Sequence, residues 1–115
     1  MAVYFHTKKA QMLLDAFNTR IDQHEAKGKI TTWRRLKLDY YTHVAQQWAG
    51  KAFFRATVDD ELLRFNIIKP ENASIPADVY AYYHGHLIET FINHFAHDFE
   101  SATATPSPRI GDRVA

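Results

Sequence analysis

The chain has 115 residues, of which 46% are hydrophobic, 14% aromatic and 23% charged, so it fits one folded domain and is neither a large multidomain enzyme nor a globally disordered chain. Fourteen Lys and Arg against thirteen Asp and Glu leave a formal net charge of +1, which gives no overall field for nucleic acid or an anionic membrane. With no cysteine, disulfides, thiolate zinc sites and iron–sulfur clusters are excluded, and the absence of a signal-like N-terminus or a run of about 18 apolar residues predicts a cytoplasmic protein with no membrane partner.

The first predicted element is an amphipathic helix over residues 7–27. Its apolar stripe recurs every three or four residues and comprises Ala10, Leu13, Leu14, Phe17, Ile21 and His24. Thr7 is a suitable N-cap because its hydroxyl accepts from a free N–H of the first turn. Gly28 is a suitable stop because glycine adopts the left-handed conformation that ends helices.

A second helix is predicted after Thr31 and Thr32, although this segment also fits an extended chain. The helical stripe comprises Trp33, Leu36, Tyr40, Val44 and Trp48. The competing alternation of even positions comprises Ile30, Leu36, Leu38, Tyr40 and Val44. Helix is preferred because residues 45–48 have poor strand character and Gly50 follows as a natural stop.

Strict alternation then predicts a β-hairpin around Asp59 and Asp60. One face carries Phe54, Ala56, Val58, Leu63, Phe65 and Ile67, and the opposite face carries Phe53, Arg55, Thr57, Leu62, Arg64, Asn66 and Ile68. An isolated two-stranded hairpin is only marginally stable, so we expect this one to pack on helices.

A long C-terminal helix is predicted over residues 77–100, after a loop and a proline that suits its first turn. Its apolar face comprises Tyr80, His84, Leu87, Ile88, Phe91, Ile92, Phe95 and Phe99. Residues 101–115 are small and polar with two prolines, which predicts a disordered tail.

The sequence therefore predicts a single α+β domain over residues 1–100 with the order α-α-β-β-α. A two-stranded antiparallel hairpin packs on the helices and could be completed to a larger sheet in a homodimer. The expected interface comprises Phe53, Arg55, Leu62, Arg64 and Gly85. Gly85 is included because glycine costs about 1 kcal/mol against alanine in a helix interior, so that either another backbone crosses there or the helix bends.

Function is read as binding rather than catalysis, with no cofactor. Four glycines cannot build a phosphate or dinucleotide loop, and no serine has an evident base beside it. The first hypothesis is an adaptor or regulatory protein that acts through protein–protein contacts.

Nucleic-acid binding is the second hypothesis, because basic side chains beside an exposed aromatic ring bind phosphates and stack a base. The candidates are Lys27, Lys29, Trp33, Arg34, Arg35 and Lys37. A buried Trp33 with arginines on the wet side is the competing interpretation.

The third hypothesis is a metal site on the histidine-rich C-terminal helix. His94, His97 and Asp98 lie three and four residues apart, so they meet on adjacent helical turns. A further ligand would have to come from elsewhere in the fold. The same histidines could instead respond to pH, because imidazole titrates near pH 6.5.

Overall fold

The computed structural model describes residues 2–37 and 39–115, which form one six-stranded antiparallel sheet and two helices. The elements in chain order are β1 (Ala2–His6), α1 (Ala10–Asp22), β2 (Trp33–Arg35), β3 (Tyr40–His43), β4 (Phe53–Asp59), β5 (Leu62–Ile68), α2 (Ala77–Phe95) and β6 (Ser101–Ala104). The strand order across the sheet is β2-β3-β4-β5-β1-β6. The fold is α+β as expected, but the predicted order α-α-β-β-α is wrong.

Strand β1, which the sequence did not predict, lies between β5 and β6. Val3 is paired with Phe65 on one side and with Ala104 on the other. Val3 and Phe5 are fully buried beneath the helices. Five residues are too few to distinguish an alternating strand from a short apolar run.

Helix α1 is confirmed, although it is shorter at both ends than predicted. The Thr7 hydroxyl accepts the N–H of Lys9 at 3.1 Å, which holds the turn before the first helical residue. At the other end the Lys29 ammonium donates to the carbonyl oxygens of Ile21 at 2.8 Å and Gln23 at 2.6 Å. Gln23 is extended, so the helix ends at Asp22.

The second predicted helix is wrong, because this segment forms the short strands β2 and β3. They pair antiparallel with Trp33 opposite His43 and Arg35 opposite Tyr41. The extended alternative was nearer, but the buried strand residues include the odd positions Trp33, Tyr41 and His43, which that alternation left out, whereas Tyr40 is only half-buried. Leu38, which belonged to the even alternation, lies outside the described residues.

The hairpin is confirmed as β4 and β5, with Asp59 paired to Leu62 across its turn. It is the centre of the sheet rather than a two-stranded unit. Strand β3 covers one of its edges through Tyr41 and Phe54, and β1 covers the other. Since both edges are paired within the chain, unpaired hairpin edges no longer argue for a dimer.

Helix α2 begins after Pro76 as predicted and ends at Phe95 rather than at residue 100. Phe91 joins the layers of the core: its ring stacks on Phe5 with centroids 4.1 Å apart and lies 4.9 Å from the ring of Phe17 on α1. Both helices therefore pack on the same side of the sheet. In the described part of the chain the opposite side of the sheet, here called the outer face, carries no helix.

Residues 101–115, for which a disordered tail was predicted, differ from that expectation. Residues 101–104 form the edge strand β6. The segment 105–114, here called the C-terminal strap, then follows the sheet, and its Arg113 N–H donates to the carbonyl oxygen of Ile67 at 2.9 Å. Small polar residues can form an edge strand because its backbone makes hydrogen bonds to the neighbouring strand, while its side chains need not enter the core.

Candidate binding site on the outer face of the sheet

The outer face is defined by the residues of β1 and β4–β6 that alternate with the core positions, together with Tyr40 of β3. They are Ala2, Tyr4, His6, Tyr40, Phe53, Arg55, Thr57, Asp59, Leu62, Arg64, Asn66, Ile68, Ser101 and Thr103. Three aromatic residues and two arginines lie among them, together with a single acidic residue and neither lysine nor glutamate. This composition is typical of the centre of a protein interface, where aromatic residues and arginine are enriched and lysine and glutamate are depleted.

Two arginines lie near the middle of the outer face. Arg55 is exposed and is paired in register with Asn66 on β5 and Tyr40 on β3. Arg64 is paired with Thr57 and Tyr4. The two arginines are diagonal neighbours on adjacent strands, a relationship that places residues roughly 7–8 Å apart. Their guanidinium groups offer planar sets of N–H donors that match carboxylates.

The Arg64 side chain is held down on the sheet. Its Nη1 lies 3.0 Å from Oδ2 of Asp59, and the two side chains are 31% and 41% exposed. Its Nε is buried and has no hydrogen-bond partner among residues 2–37 and 39–115. A partner that contacts Arg64 therefore meets a group that is already ordered, which lowers the entropy cost of binding.

The C-terminal strap closes one end of the outer face. The Asn66 amide donates to the carbonyl oxygen of Ile110 at 3.2 Å and to the Asp112 carboxylate at 2.8 Å. Gly111 sits directly over Asn66, which is 3% exposed. The strap thus limits the accessible part of the face to the region around Arg55 and Arg64.

A polar groove of about 750 Å³ begins at the rim of this region, between α1 and the β2–β3 hairpin. It is lined by Gln11, Leu14, Asp15, Asn18, Arg35, Asp39, Tyr40, Arg55, Ala56, Thr57 and Val58. Tyr40, Arg55 and Thr57 belong to both the groove and the outer face. Beneath it the Tyr41 hydroxyl donates to Asn18, and burial, with Asp39 nearby, raises the pKa of this phenol. Tyr41 is therefore a neutral hydrogen-bonding group and not a base.

Four of the five predicted interface residues come together on the outer face. Phe53, Leu62 and Arg64 are half-buried there and Arg55 is exposed. Gly85 lies elsewhere, on the exposed side of α2, and no atom of the described chain lies within 4 Å of the position of a Cβ there. The sequence missed Tyr4 and Tyr40, because it did not predict their strands.

Three of the six predicted nucleic-acid residues are buried or bonded within the chain. Trp33 is 2% exposed and offers no ring face to a base. Lys29 is bonded to the end of α1, and Arg35 lies 3.3 Å from Asp22. Lys27, Arg34 and Lys37 are exposed.

The predicted metal ligands do not form a cluster. His94 Nδ1 accepts from the guanidinium of Arg20 at 3.1 Å, and burial together with this positive charge lowers the pKa of His94. His97 and Asp98 follow the end of α2 and are exposed. Within the described part of the chain no three His, Asp or Glu side chains are placed to hold a metal ion.

A second histidine environment, unpredicted by the sequence, lies where β3 meets α2. Tyr82 stacks between Trp48 and His86, with centroids 4.0 Å away on each side, and His43 lies 5.2 Å from His86. His43 is 2% exposed, and its Nδ1 accepts the N–H of Ala45 at 3.0 Å. Burial first, and His86 second, lower the pKa of His43, so this imidazole is neutral near pH 7.

No helix within residues 2–37 and 39–115 has the length and apolar character that crossing a membrane requires. Comparisons with protein-family models, with curated proteins and with solved structures gave no match to this chain.

Proposed function

We propose that this chain is a non-enzymatic binding domain that holds a protein partner on the outer face of its sheet. The observation that carries the proposal is the composition of that face: Tyr4, Tyr40 and Phe53 supply rings beside Arg55 and Arg64, while lysine and glutamate are absent from its strand positions. Large rings with few rotatable bonds and arginine carry most binding energy in protein interfaces.

Charge specifies the partner further. Among the described residues of the outer face Asp59 is the one acidic residue, and it is already paired with Arg64, so Arg55 forms no ion pair on this face; Asp15 and Asp39 line the groove that it borders. An acidic surface is the complement of this arrangement, because a carboxylate accepts two parallel hydrogen bonds from one guanidinium. The partner we propose is a protein that presents Asp or Glu side chains beside an apolar centre.

Site-directed photo-crosslinking in cells of the native host tests this proposal. A benzophenone amino acid replaces Tyr40 or Thr57 on the outer face, or Met12 on the exposed side of α1 as a control. We expect discrete, nuclease-resistant protein adducts from the two sheet positions and none from position 12. Adducts from position 12 alone, or none from either sheet position, would overturn the proposal.

A charge reversal supplies the second arm of the experiment. Arg55→Glu should abolish the adducts at position 40, whereas Lys51→Glu, an equal change of charge in the exposed loop before β4, should leave them intact. Adducts that survive Arg55→Glu would remove the acidic partner from the proposal. Cell fractionation of the same samples tests the cytoplasmic location that we propose from the cysteine-free sequence.

Nucleic acid is the second candidate partner, supported by the exposed side chains of Lys27, Arg34 and Lys37. It makes a different prediction, because phosphate contacts release counterions and weaken steeply with added salt. Titration with a fluorescent single-stranded oligonucleotide at two salt concentrations tests it. Loss of binding in Arg34→Ala would favour this candidate, and salt-independent or absent binding would end it.

A further inference from the structure

One side of α2 carries an apolar stripe that faces away from the sheet. The stripe comprises Ala77, Ala81, Gly85, Ile88 and Ile92, which recur every three or four residues and so share one helical face. Ile88 is half-buried and the others are exposed, with Ile92 at 53%. The stripe is on the helical layer, so it is separate from the outer face of the sheet.

The N-terminal half of the stripe borders a cavity. It has a volume of about 330 Å³ between α2 and the end of β6, and it is lined by Ala77, Tyr80, Ala81, His84, Ala104, Thr105 and Pro106. The exposed lining of this cavity is mostly apolar, so the cavity suits an aliphatic side chain from a partner.

The C-terminal half of the stripe is a ridge made of Ile88 and Ile92. The small residues of the N-terminal half and the isoleucines of the ridge are placed symmetrically about the point between His84 and Gly85. Ala77 lies seven residues before His84, and Ile92 lies seven residues after Gly85. In the same way Ala81 lies three residues before His84, and Ile88 lies three residues after Gly85. A second α2 laid antiparallel across this point therefore sets each ridge against the small residues of the other helix.

Gly85 lies at the crossing point of that arrangement. Nothing in the described chain is within 4 Å of the Cβ that alanine would add there, so packing inside one chain does not require glycine. Glycine nevertheless destabilises a helix interior relative to alanine. Close approach of a second helix backbone at this point accounts for the presence of glycine at position 85.

We propose that the chain forms a two-fold homodimer through α2, in which Ile92 of each copy packs on Ala77 and fills the cavity beside Tyr80 of the other. Residues 77–92 span roughly 24 Å of helix. A single pair of helices of this length makes a smaller interface than the standard of roughly 800 Å² per partner, so we expect a dissociation constant in the micromolar range.

Charge at the rim adds a specific expectation. Asp78 and Glu89 are exposed along one flank of the stripe, and a two-fold axis brings Asp78 of one copy near Glu89 of the other. Like charges at an exposed rim repel, and salt screens this repulsion. The dimer should tighten as salt is raised.

Sedimentation equilibrium of the full chain from about 5 to 500 µM tests the proposal against the affinity expected for a small interface. Ile92→Ala empties the cavity and Ala77→Ile sets two isoleucines against each other, so each should weaken the dimer about tenfold. Together in one chain the two changes restore a large residue opposite a small one, and the dissociation constant should return to within about threefold of the wild type.

Met12→Ala, which removes another exposed apolar side chain, is the matched control, and circular dichroism verifies that each variant is folded. A monomer at all concentrations would overturn the proposal, as would a dimer that neither single variant weakens. A double variant weaker than either single variant would place the contact elsewhere and overturn this geometry.

Discussion

The indole N–H of Trp33, on the edge strand β2, donates to the hydroxyl of Thr90 on α2 at 2.9 Å, and both groups are buried. The two residues are 57 positions apart in the chain. The Thr90 hydroxyl in turn donates to the carbonyl oxygen of His86 at 2.8 Å. A three-residue edge strand is thereby fixed to the middle of the longest helix, which holds the Arg35 side of the polar groove in place.

Thr90→Val should destabilise the fold, because it leaves the buried Trp33 N–H without an acceptor while preserving shape. We expect a loss of about 1–3 kcal/mol in the free energy of unfolding. Urea denaturation followed by tryptophan fluorescence measures it. Thr19→Val, at an exposed position of α1, controls for the helix propensity of valine. Equal losses in both variants would show that the hydrogen bond contributes little.

Gly111→Ala should disturb the C-terminal strap. The residue has φ +99°, and an added Cβ would lie 2.9 Å from the Asn66 side chain, which is buried and hydrogen bonded. We expect a loss of about 2–3 kcal/mol. Gly50→Ala is the comparison, since φ is +71° there with nothing within 4 Å, and about 1 kcal/mol should be lost. A smaller loss at Gly111 than at Gly50 would contradict the contact.

Lys29→Met should separate a structural from a nucleic-acid role for this lysine. The ammonium donates to two carbonyl oxygens at the end of α1, where a positive charge also suits the helix dipole. We expect thermal denaturation to show a loss of about 1 kcal/mol for Lys29→Met. Lys27→Met, at an exposed position, should lose almost nothing. Unchanged stability in Lys29→Met would leave the residue available for ligand binding.

Acid should destabilise the protein through His43. The folded chain lowers the pKa of His43, while the unfolded chain keeps it near 6.5, so the unfolded state binds more protons as pH falls. The contribution of neutral His43 to the free energy of unfolding is therefore complete above about pH 6.5 and is lost progressively as the pH falls below it. His94, whose pKa is also lowered, adds to the same trend.

The variant His43→Asn tests this assignment, because the amide oxygen can still accept the Ala45 N–H but does not titrate. Urea denaturation at pH 7.5 and 5.5 should show a smaller decrease in the free energy of unfolding for the variant than for the wild type. Parallel decreases in the two proteins would assign the acid sensitivity to other groups.

The spacing of hydrophobic residues was sufficient to predict the elements that bury one wide face. Helices α1 and α2 and the β4–β5 hairpin each repeat their pattern over seven residues or more, so one period dominates. The segment from Trp33 to His43 contains two short strands and a turn, and its apolar residues satisfied both a helical and an alternating pattern. Tertiary pairing selects between them, since Trp33 finds its hydrogen-bond partner on α2.

Only half of the candidate binding face could be predicted from the sequence. Arg55 and Arg64 follow from the alternation of the hairpin, which places them opposite the core positions. Tyr4 and Tyr40 lie beside these arginines because of strand pairings between residues distant in the sequence. No local sequence pattern predicts such pairings. The C-terminal strap was missed for a related reason: it is held largely by hydrogen bonds to Asn66 and Ile67, and the packing of Val114 against the core does not by itself make a hydrophobic pattern.

The position of β1 between β5 and β6 has a consequence for how the chain folds. Strand β1 leaves the ribosome before its partners and pairs only after residues 62–68 and then 101–104 have been made, since Val3 pairs with Phe65 and Ala104. Until then its fully buried Val3 and Phe5 side chains have no core to enter. Closing such long loops slows folding, and an unpaired apolar strand is prone to association with other chains. Strand β1 is therefore a segment that needs protection from aggregation while the chain is being made.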